Sequence, residues 1–267
     1  MSEHGLGRGA PLIYTLTAII VVFLMLPLAM PIVMSVSDTP FVTFPPQGFT
    51  LKWYASVLAE PDFTGSFTFS VLLSSVTAVG AVILGTPTAV GLVRLRFPGK
   101  GLIQGLILSP LIFPTLVTGI ALLRLFSSIG SQNAFLNLVV GHVLVTTPYV
   151  VRTVSASLVT VDPDIEDAAR TLGANRMVAF WRVTRPQIVP GLVAGALFAF
   201  VTSFDNYAVS MWLFDAGHVP LPMMMVSLIS RMFDPGIAAI ASLMIFFSLA
   251  IVLVLERLAG LRRAMSF

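Results

Sequence analysis

The sequence has no cysteine at all, only three histidines, and very little charge. The first absence excludes disulfides, thiol redox chemistry and thiolate metal sites. The histidines, His4, His142 and His218, lie far apart. There is no HExxH and no GxSxG, so neither a zincin site nor a nucleophile elbow is present. No Gly-rich phosphate loop ending in Lys appears either, so a process here that uses ATP must draw it from another subunit. Charged residues make up 10% of the chain, against about 25% in a soluble domain. That is too little polar surface to cover a core in water. The net charge of +3 is small, and no basic patch is interleaved with stacking aromatics, so nucleic acid is not an expected partner.

What is present is apolar: 57% of 267 residues. Residues 12–34, 63–93, 101–123, 125–151 and 235–255 carry no Asp, Glu, Lys or Arg. A sixth run, 186–214, is interrupted only by Asp205. A helix needs about 20 apolar residues to cross a hydrocarbon core of about 30 Å. The expected fold class is therefore all-α, a polytopic membrane protein forming one transmembrane domain over 1–267. Six spans are predicted, near 12–34, 67–93, 102–123, 134–157, 187–212 and 237–257. A cleaved leader is the other reading of the first run. Its length, Pro27 and Pro31, and the lack of a small-residue cleavage site favour a retained helix.

Lys and Arg set the orientation. Twelve of them fall on one side: Arg8, the group from Arg94 to Lys100, the group from Arg152 to Arg185, and Arg257, Arg262 and Arg263. Lys52, Arg124 and Arg231 fall on the other. Both termini are expected in the cytoplasm, with 35–66 and 213–236 outside. Pro87, Pro110, Pro114, Pro148 and Pro190 sit within the runs. They shape helix packing or act as hinges, and LSPLIFP (108–114) and TTPY (146–149) are the hinge candidates. Gly80, Gly85, Gly91 and Gly195 would allow close helix contacts.

The charge the chain does carry is concentrated. Residues 162–186 hold eight of its 15 basic and 12 acidic side chains. Asp162 suits a helix N-cap with Pro163 in the first turn. Asp164, Glu166 and Asp167 then lie near the positive end of the helix dipole. Ala168, Ala169 and Leu172 make a small apolar patch, and Gly173 suits a left-handed stop. Asn175 can cap a second short helix with Val178, Phe180 and Trp181. From the residues alone the segment is either a docking surface, with its charges setting register, or a solvated helix of the kind any cytoplasmic loop carries.

The stretch EDAARTLGANRMVAFWRVTRPQIVPG resembles the EAA loop of ABC-transporter inner-membrane permease subunits. Asp167, Ala168, Ala169 and Gly173 match, with Asp for the usual Glu, one methylene shorter, and Arg185-Pro186 for the usual Leu-Pro. FPGKG, LSPLIFPTLVTGIALL, HVLVTTPYVVRTV, ALFAFVTSFDNYAVSMWL and DPGIAAIASLMI are similar to the permease subunits of polyamine importers, the spermidine and putrescine group. The resemblance implies that Glu166, Asp167, Ala168, Ala169, Leu172, Gly173 and Ala174 couple to a cytoplasmic ABC ATPase dimer, which binds the ATP and Mg. No cofactor is then held in this chain, and the chain is not itself an enzyme. It further implies a second homologous permease subunit, a periplasmic or lipid-anchored substrate-binding protein, and a bacterial inner membrane. Relatives in the group carry opines, amino-acid-like amines, phosphonates or iron, and these solutes remain open beside a polyamine.

Asp205 is the one acid well inside a predicted span, and an intramembrane carboxylate is a functional hypothesis by default. On a wet pathway it would attract an ammonium group, with Tyr207 or Phe204 offering cation–π contact. Alternatively it is a structural Asp bonded to a neighbouring helix or placed at the interface beside Asn206. His142 reads as a satisfied packing residue, and Met223, Met224 and Met225 as filling for an apolar interface. An intramembrane enzyme would need paired acids, metal ligands or a Ser–His or Ser–Lys site, none of which the spans offer. A passive channel would not need the charged segment.

Overall fold

The computed structural model describes residues 10–39, 44–231 and 235–259. Among these residues the elements are helices, in two compact units: Met1–Pro61 with Ser227–Phe247, and Asp62–Val226 with Ser248–Phe267. Arg8, Arg262, Arg263 and His4 lie outside the described residues, as do the side chains of Arg231 and Glu256.

In the first unit, α1 is Ala10–Met34 and runs unbroken through Pro27 and Pro31. It is apolar all round and exposed along most of its length, as suits a helix whose solvent is lipid. The chain then forms a polar knot before α2, Lys52–Ala59. The Trp53 indole N–H donates to the Ser37 carbonyl at 2.8 Å. Lys52 pairs with Asp38 at 2.6 Å. Tyr54 reaches Ser35 at 2.6 Å and Ser242 at 2.9 Å.

The second unit begins with α3, Pro61–Arg94. Pro61 starts it and Asp62 sits in its first turn, where an acid favours the dipole. Then come α4, Lys100–Leu108, a 3₁₀ turn at Ser109–Leu111, and α5, Thr115–Ser128. The long α6, Ala134–Thr160, passes straight through Pro148. Next are α7, Pro163–Thr171, and α8, Arg176–Ala179. A π turn at Phe180–Thr184 joins α8 to α9, Arg185–Phe204, and α10 is Tyr207–Leu213. The last two helices of the chain, α11, Leu221–Arg231, and α12, Pro235–Ala259, each contribute residues to both units.

Among the described residues, five helices are long and apolar enough to cross a bilayer, and a sixth span exists if α4 and α5 count as one. That pair is bent by 102°, so the continuous third span expected over 102–123 is not observed. Pro110 and Pro114 lack N–H groups four residues apart, so the helical ladder fails there. LSPLIFP is thus a break. TTPY is not: Pro148 is buried inside α6, which continues through it without a break. The fifth span expected over 187–212 also differs. It starts as early as Arg176, because the π turn continues α8 into α9, and it ends at Phe204. The second short helix of the charged segment is therefore the root of a span.

Lipid chains are as apolar as Leu, so close packing rather than hydrophobic burial holds such helices together. α6 and α9 meet where α9 has no side chains. A Cβ on Gly195 would stand 3.0 Å from the Val150 Cα, and one on Gly191 would stand 2.7 Å from the Thr153 carbonyl oxygen. Gly80 and Gly85 similarly bring α3 against Val143 and Val150 of α6. Gly91 faces open space instead, so the close contact expected there is absent. Ala81, Ala89, Val150, Val154, Leu158 and Ile188 form the buried core at this junction.

Candidate functional site

The charged segment takes the shape its caps dictate. The Asp162 carboxylate accepts from the Asp164 N–H at 3.0 Å, with Pro163 at the first position of α7. At the other end, Gly173 has φ +95°, a conformation only glycine adopts without strain. The Gly173 N–H donates to the Arg170 carbonyl at 3.0 Å, and the Ala174 N–H to the Ala169 carbonyl at 3.1 Å. Together these form a Schellman stop, which satisfies carbonyls that a helix end leaves free. Asn175 then caps α8, accepting from the Val178 N–H at 2.8 Å.

The seven predicted coupling residues divide by direction. Asp167, Ala168, Leu172 and Gly173 are exposed, while Glu166, Ala169 and Ala174 are half-buried. Leu172 is 90% exposed, a large apolar side chain offered to whatever lies beyond. Asp167 pairs with Arg170 along the helix at 3.0 Å. Glu166 turns inward. It accepts from the buried Thr184 hydroxyl at 2.8 Å and lies 3.9 Å from Arg94 at the end of α3. Its role in this geometry is to strap α7 to the roots of two spans. The strap links positions 18 residues apart or more, and nothing in the spacing signalled it. Arg185, at a position where the family pattern has an apolar residue, lays its guanidinium over the Trp181 ring at 5.0 Å, a cation–π contact.

The predicted path residues sit at a helix break. Asp205 is not within a helix but at the C-cap of α9. Its carboxylate is exposed, and no hydrogen bond or ion pair reaches it among the described residues. Asn206 follows, buried, and caps α10 by accepting from the Val209 N–H at 3.0 Å. Tyr207 is half-buried. Phe204 is buried, edge-on to Phe67 at 6.0 Å and stacked on Phe200 at 6.0 Å. Its faces are therefore taken up by packing, and of the three predicted residues only Asp205 and Tyr207 present polar side-chain atoms at the break.

His142 bridges that break. It is fully buried in α6, with Nδ1 2.8 Å from the Ser203 hydroxyl and Nε2 3.1 Å from the Ser210 hydroxyl. A neutral imidazole has one donor and one acceptor, and hydroxyls can serve either. Both ring nitrogens are thus satisfied, one on each side of the junction between α9 and α10. The Asp-Asn pair in SFDNY carries a local signal for this break, a C-cap followed by an Asn N-cap. The apolar run around it masked that signal.

In the loop after α10, Asp215 accepts from the His218 imidazole at 2.8 Å. Through that bond and, after an opposing desolvation, the Gly217 N–H, the Asp215 carboxyl is held below the usual carboxylate range. The His218 ring rests between Phe69 and Phe135 at 5.5 and 6.2 Å. Met224 is buried and Met223 and Met225 half-buried, in keeping with apolar filling.

Comparison with known proteins agrees on one kind of molecule. Residues 81–262 match the family described as binding-protein-dependent transport system inner membrane component. The chain is 32% identical over 230 residues to the putrescine transport system permease protein PotI of Escherichia coli K12, covering 84% of this chain and 82% of that one. It is 30% identical over 213 residues to the spermidine/putrescine transport system permease protein PotC of the same strain, covering 80% and 81%. Among solved structures, it resembles a chain of the bacterial alginate ABC transporter in complex with an alginate pentasaccharide-bound periplasmic protein. The TM-score there is 0.69, with 15% identity over 97% of this chain and 96% of that one. At that identity the likeness speaks for the fold alone.

Proposed function

This chain belongs to the family of binding-protein-dependent transport inner membrane components, and on that premise we propose that it is a permease subunit of an ATP-driven importer for a polyamine such as putrescine or spermidine. The polyamine reading rests on PotI and PotC, the relatives that share about a third of its residues over four fifths of its length. In this reading both termini and the 162–186 segment face the cytoplasm, on the side with twelve of its fifteen Lys and Arg. A separate ATPase dimer binds ATP and Mg and docks on α7. A second, homologous permease subunit completes the pathway, and a periplasmic or lipid-anchored protein delivers the solute.

The observation that carries the coupling role is the exposed face of α7. Asp167, Ala168, Leu172 and Gly173 are turned out, while Glu166 holds the helix down on Arg94 and Thr184. A push on that face is passed to α3 and α9 together, because the strap joins the ends of both. The break at 109–114 is the joint at which the bundle changes shape. Asp205 and Tyr207 line the solute path, and Phe204 anchors the wall behind them.

The test is co-purification with the ATPase in detergent. Wild-type chain captures it; a Gly173→Asp, Ala169→Asp double variant, still inserted in the membrane, does not. Equal capture by both would remove α7 as the docking face. Uptake of labelled putrescine and spermidine by the assembled transporter tests the solute, and saturable uptake of an opine or phosphonate in their place would overturn the polyamine reading.

A further inference from the structure

Beside the strap lies a recess of about 580 Å³, bounded by the end of α3, the start of α4, and α7 and α8. Five basic side chains line it: Arg94, Arg96, Lys100, Arg170 and Arg176. Only two acids answer them. Asp167 is engaged by Arg170 at 3.0 Å, and Glu166 accepts from Thr184 while standing 3.9 Å from Arg94, beyond hydrogen-bond reach. Arg96 and Arg176 have no hydrogen-bond or ion-pair partner among the described residues. Within the recess, the buried Nε and Nη2 of Arg94 have no hydrogen-bond partner. Buried donors left unmet call for an explanation, and a bound anion is a common one.

The recess does not end at the charges. It opens into a cleft of about 830 Å³ that shares Arg94, Glu166, Arg176 and Phe180 with it and continues between α3 and the root of α9. Apart from Thr86 and Arg185, the rest of that cleft is apolar, lined by Val82, Ile83, Val90, Met177, Trp181 and Leu192 among others. From Arg94 back to Val82 it follows α3 for about 18 Å, at about 1.5 Å per residue. Such a length reaches well into a hydrocarbon core about 30 Å thick. A cytoplasmic protein docking on α7 stays at the membrane surface and has no access to Val82; an acyl chain has.

We infer that the recess and cleft together hold one anionic phospholipid of the cytoplasmic leaflet, its phosphate among Arg94, Arg96, Lys100 and Arg176 and an acyl chain along Val82, Ile83 and Leu192. Basic pockets between spans are suited to anionic headgroups, and here the headgroup would supply the acceptor that Arg94 lacks. The lipid would sit against Glu166 and so against the strap that links α7 to the spans. Only the choice of leaflet rests on the orientation proposed above.

The test is native mass spectrometry of the full-length chain, stripped of lipid in a neutral detergent and then offered dioleoyl phosphatidylglycerol and dioleoyl phosphatidylcholine in equal amounts. One phosphatidylglycerol is expected to be retained over phosphatidylcholine by roughly tenfold or more, since several basic side chains face the one headgroup. The Arg96→Gln, Arg176→Gln variant, which spares the strap, is expected to lose that preference. Ile83→Trp, which changes no charge, should lower retention by blocking the acyl path. No preference in the wild type, or a preference unchanged in both variants, overturns the inference. Displacement of the lipid by excess glycerol 3-phosphate would assign the recess to a soluble phosphate and overturn it also. Loss of ATPase capture by the arginine variant with lipid retention unchanged would assign the recess to the ATPase instead. Because retention is read without the ATPase, absent lipid preference beside intact capture removes this inference and leaves the importer reading standing.

Discussion

Among the described residues an Asn side chain restarts a helix at Asn133, Asn175 and Asn206, and the last two places differ in almost everything else. Between α7 and α8, Asn175 accepts from an N–H three residues on at 2.8 Å, and the turn around it is exposed. Between α9 and α10, Asn206 does the same at 3.0 Å, but is buried. At the first turn the helix end is finished locally, by Gly173 at φ +95° and the Schellman bonds on either side of it. At the second it is finished from a distance, by His142 reaching Ser203 and Ser210 on both sides of the break. An exposed turn can let water take any bond it loses. A buried break cannot, because in a low-dielectric interior an unmet polar group keeps its full desolvation cost. The exposed turn is thus free to be a docking surface, and the buried break has to be built as a fixed joint.

The sharpest way to break that contrast is Gly173→Val. A β-branched residue at positive φ is strained by about 1–2 kcal/mol and would reshape the end of α7. Polyamine uptake by the assembled transporter is expected to fall to background while the thermal midpoint in detergent moves little. Normal uptake would show that the turn is not part of the coupling. Next in size is the matched pair of cap removals. Asn206→Ala should lower stability by about 1–3 kcal/mol, the cost of a buried N–H left unmet. Asn175→Ala should cost about 1 kcal/mol or less, as exposed caps do. Equal losses in denaturant or thermal unfolding would erase the distinction between the two sites.

Asp205→Asn tests whether the buried break also serves the solute. The carboxylate is exposed and unpaired, so its removal is expected to raise the KM for putrescine several-fold, about 1 kcal/mol at a partly screened site, with ATPase capture intact. Unchanged KM would leave the break as a joint only. The smallest effect concerns the outer loop. The folded Asp215 carboxyl titrates below its unfolded value because of the His218 hydrogen bond. The bond therefore adds stability above the ordinary carboxylate range, and that stability is lost as pH falls through the depressed folded value. Asp215→Asn should remove this acid-side loss of loop order, read by hydrogen exchange at residues 215–218; an identical pH profile in both proteins would mean the pair does not pin the loop.

How much of this was legible beforehand follows from the range of the forces involved. Hydropathy and the distribution of Lys and Arg are sums over neighbours in sequence. The all-α class and the location of the apolar segments could therefore be read directly, and Asp162, Gly173 and Asn175 each carry a cap signal that acts within four residues. The pair of prolines in LSPLIFP marked a joint in the same local way, although its 102° bend was not readable. Other features were set by residues far away. Pro148 leaves α6 unbroken while Pro110 and Pro114 end a helix, and Pro148 is buried against the rest of the protein. The run from 187 to 212 looked continuous, yet it divides at Asp205 and Asn206, where a histidine more than 60 residues earlier bridges the ends. Glu166 looked like one more charge on the segment, and its contacts to Arg94 and Thr184 come from residues far along the chain. The sequence by itself determined which segments enter the membrane and where the surface helix begins and ends, since those depend on each residue's own solvation and its nearest neighbours. Only the tertiary structure decided which polar groups meet across helices, because a bilayer interior offers no water to bond to, and a partner on another helix can lie anywhere along the chain.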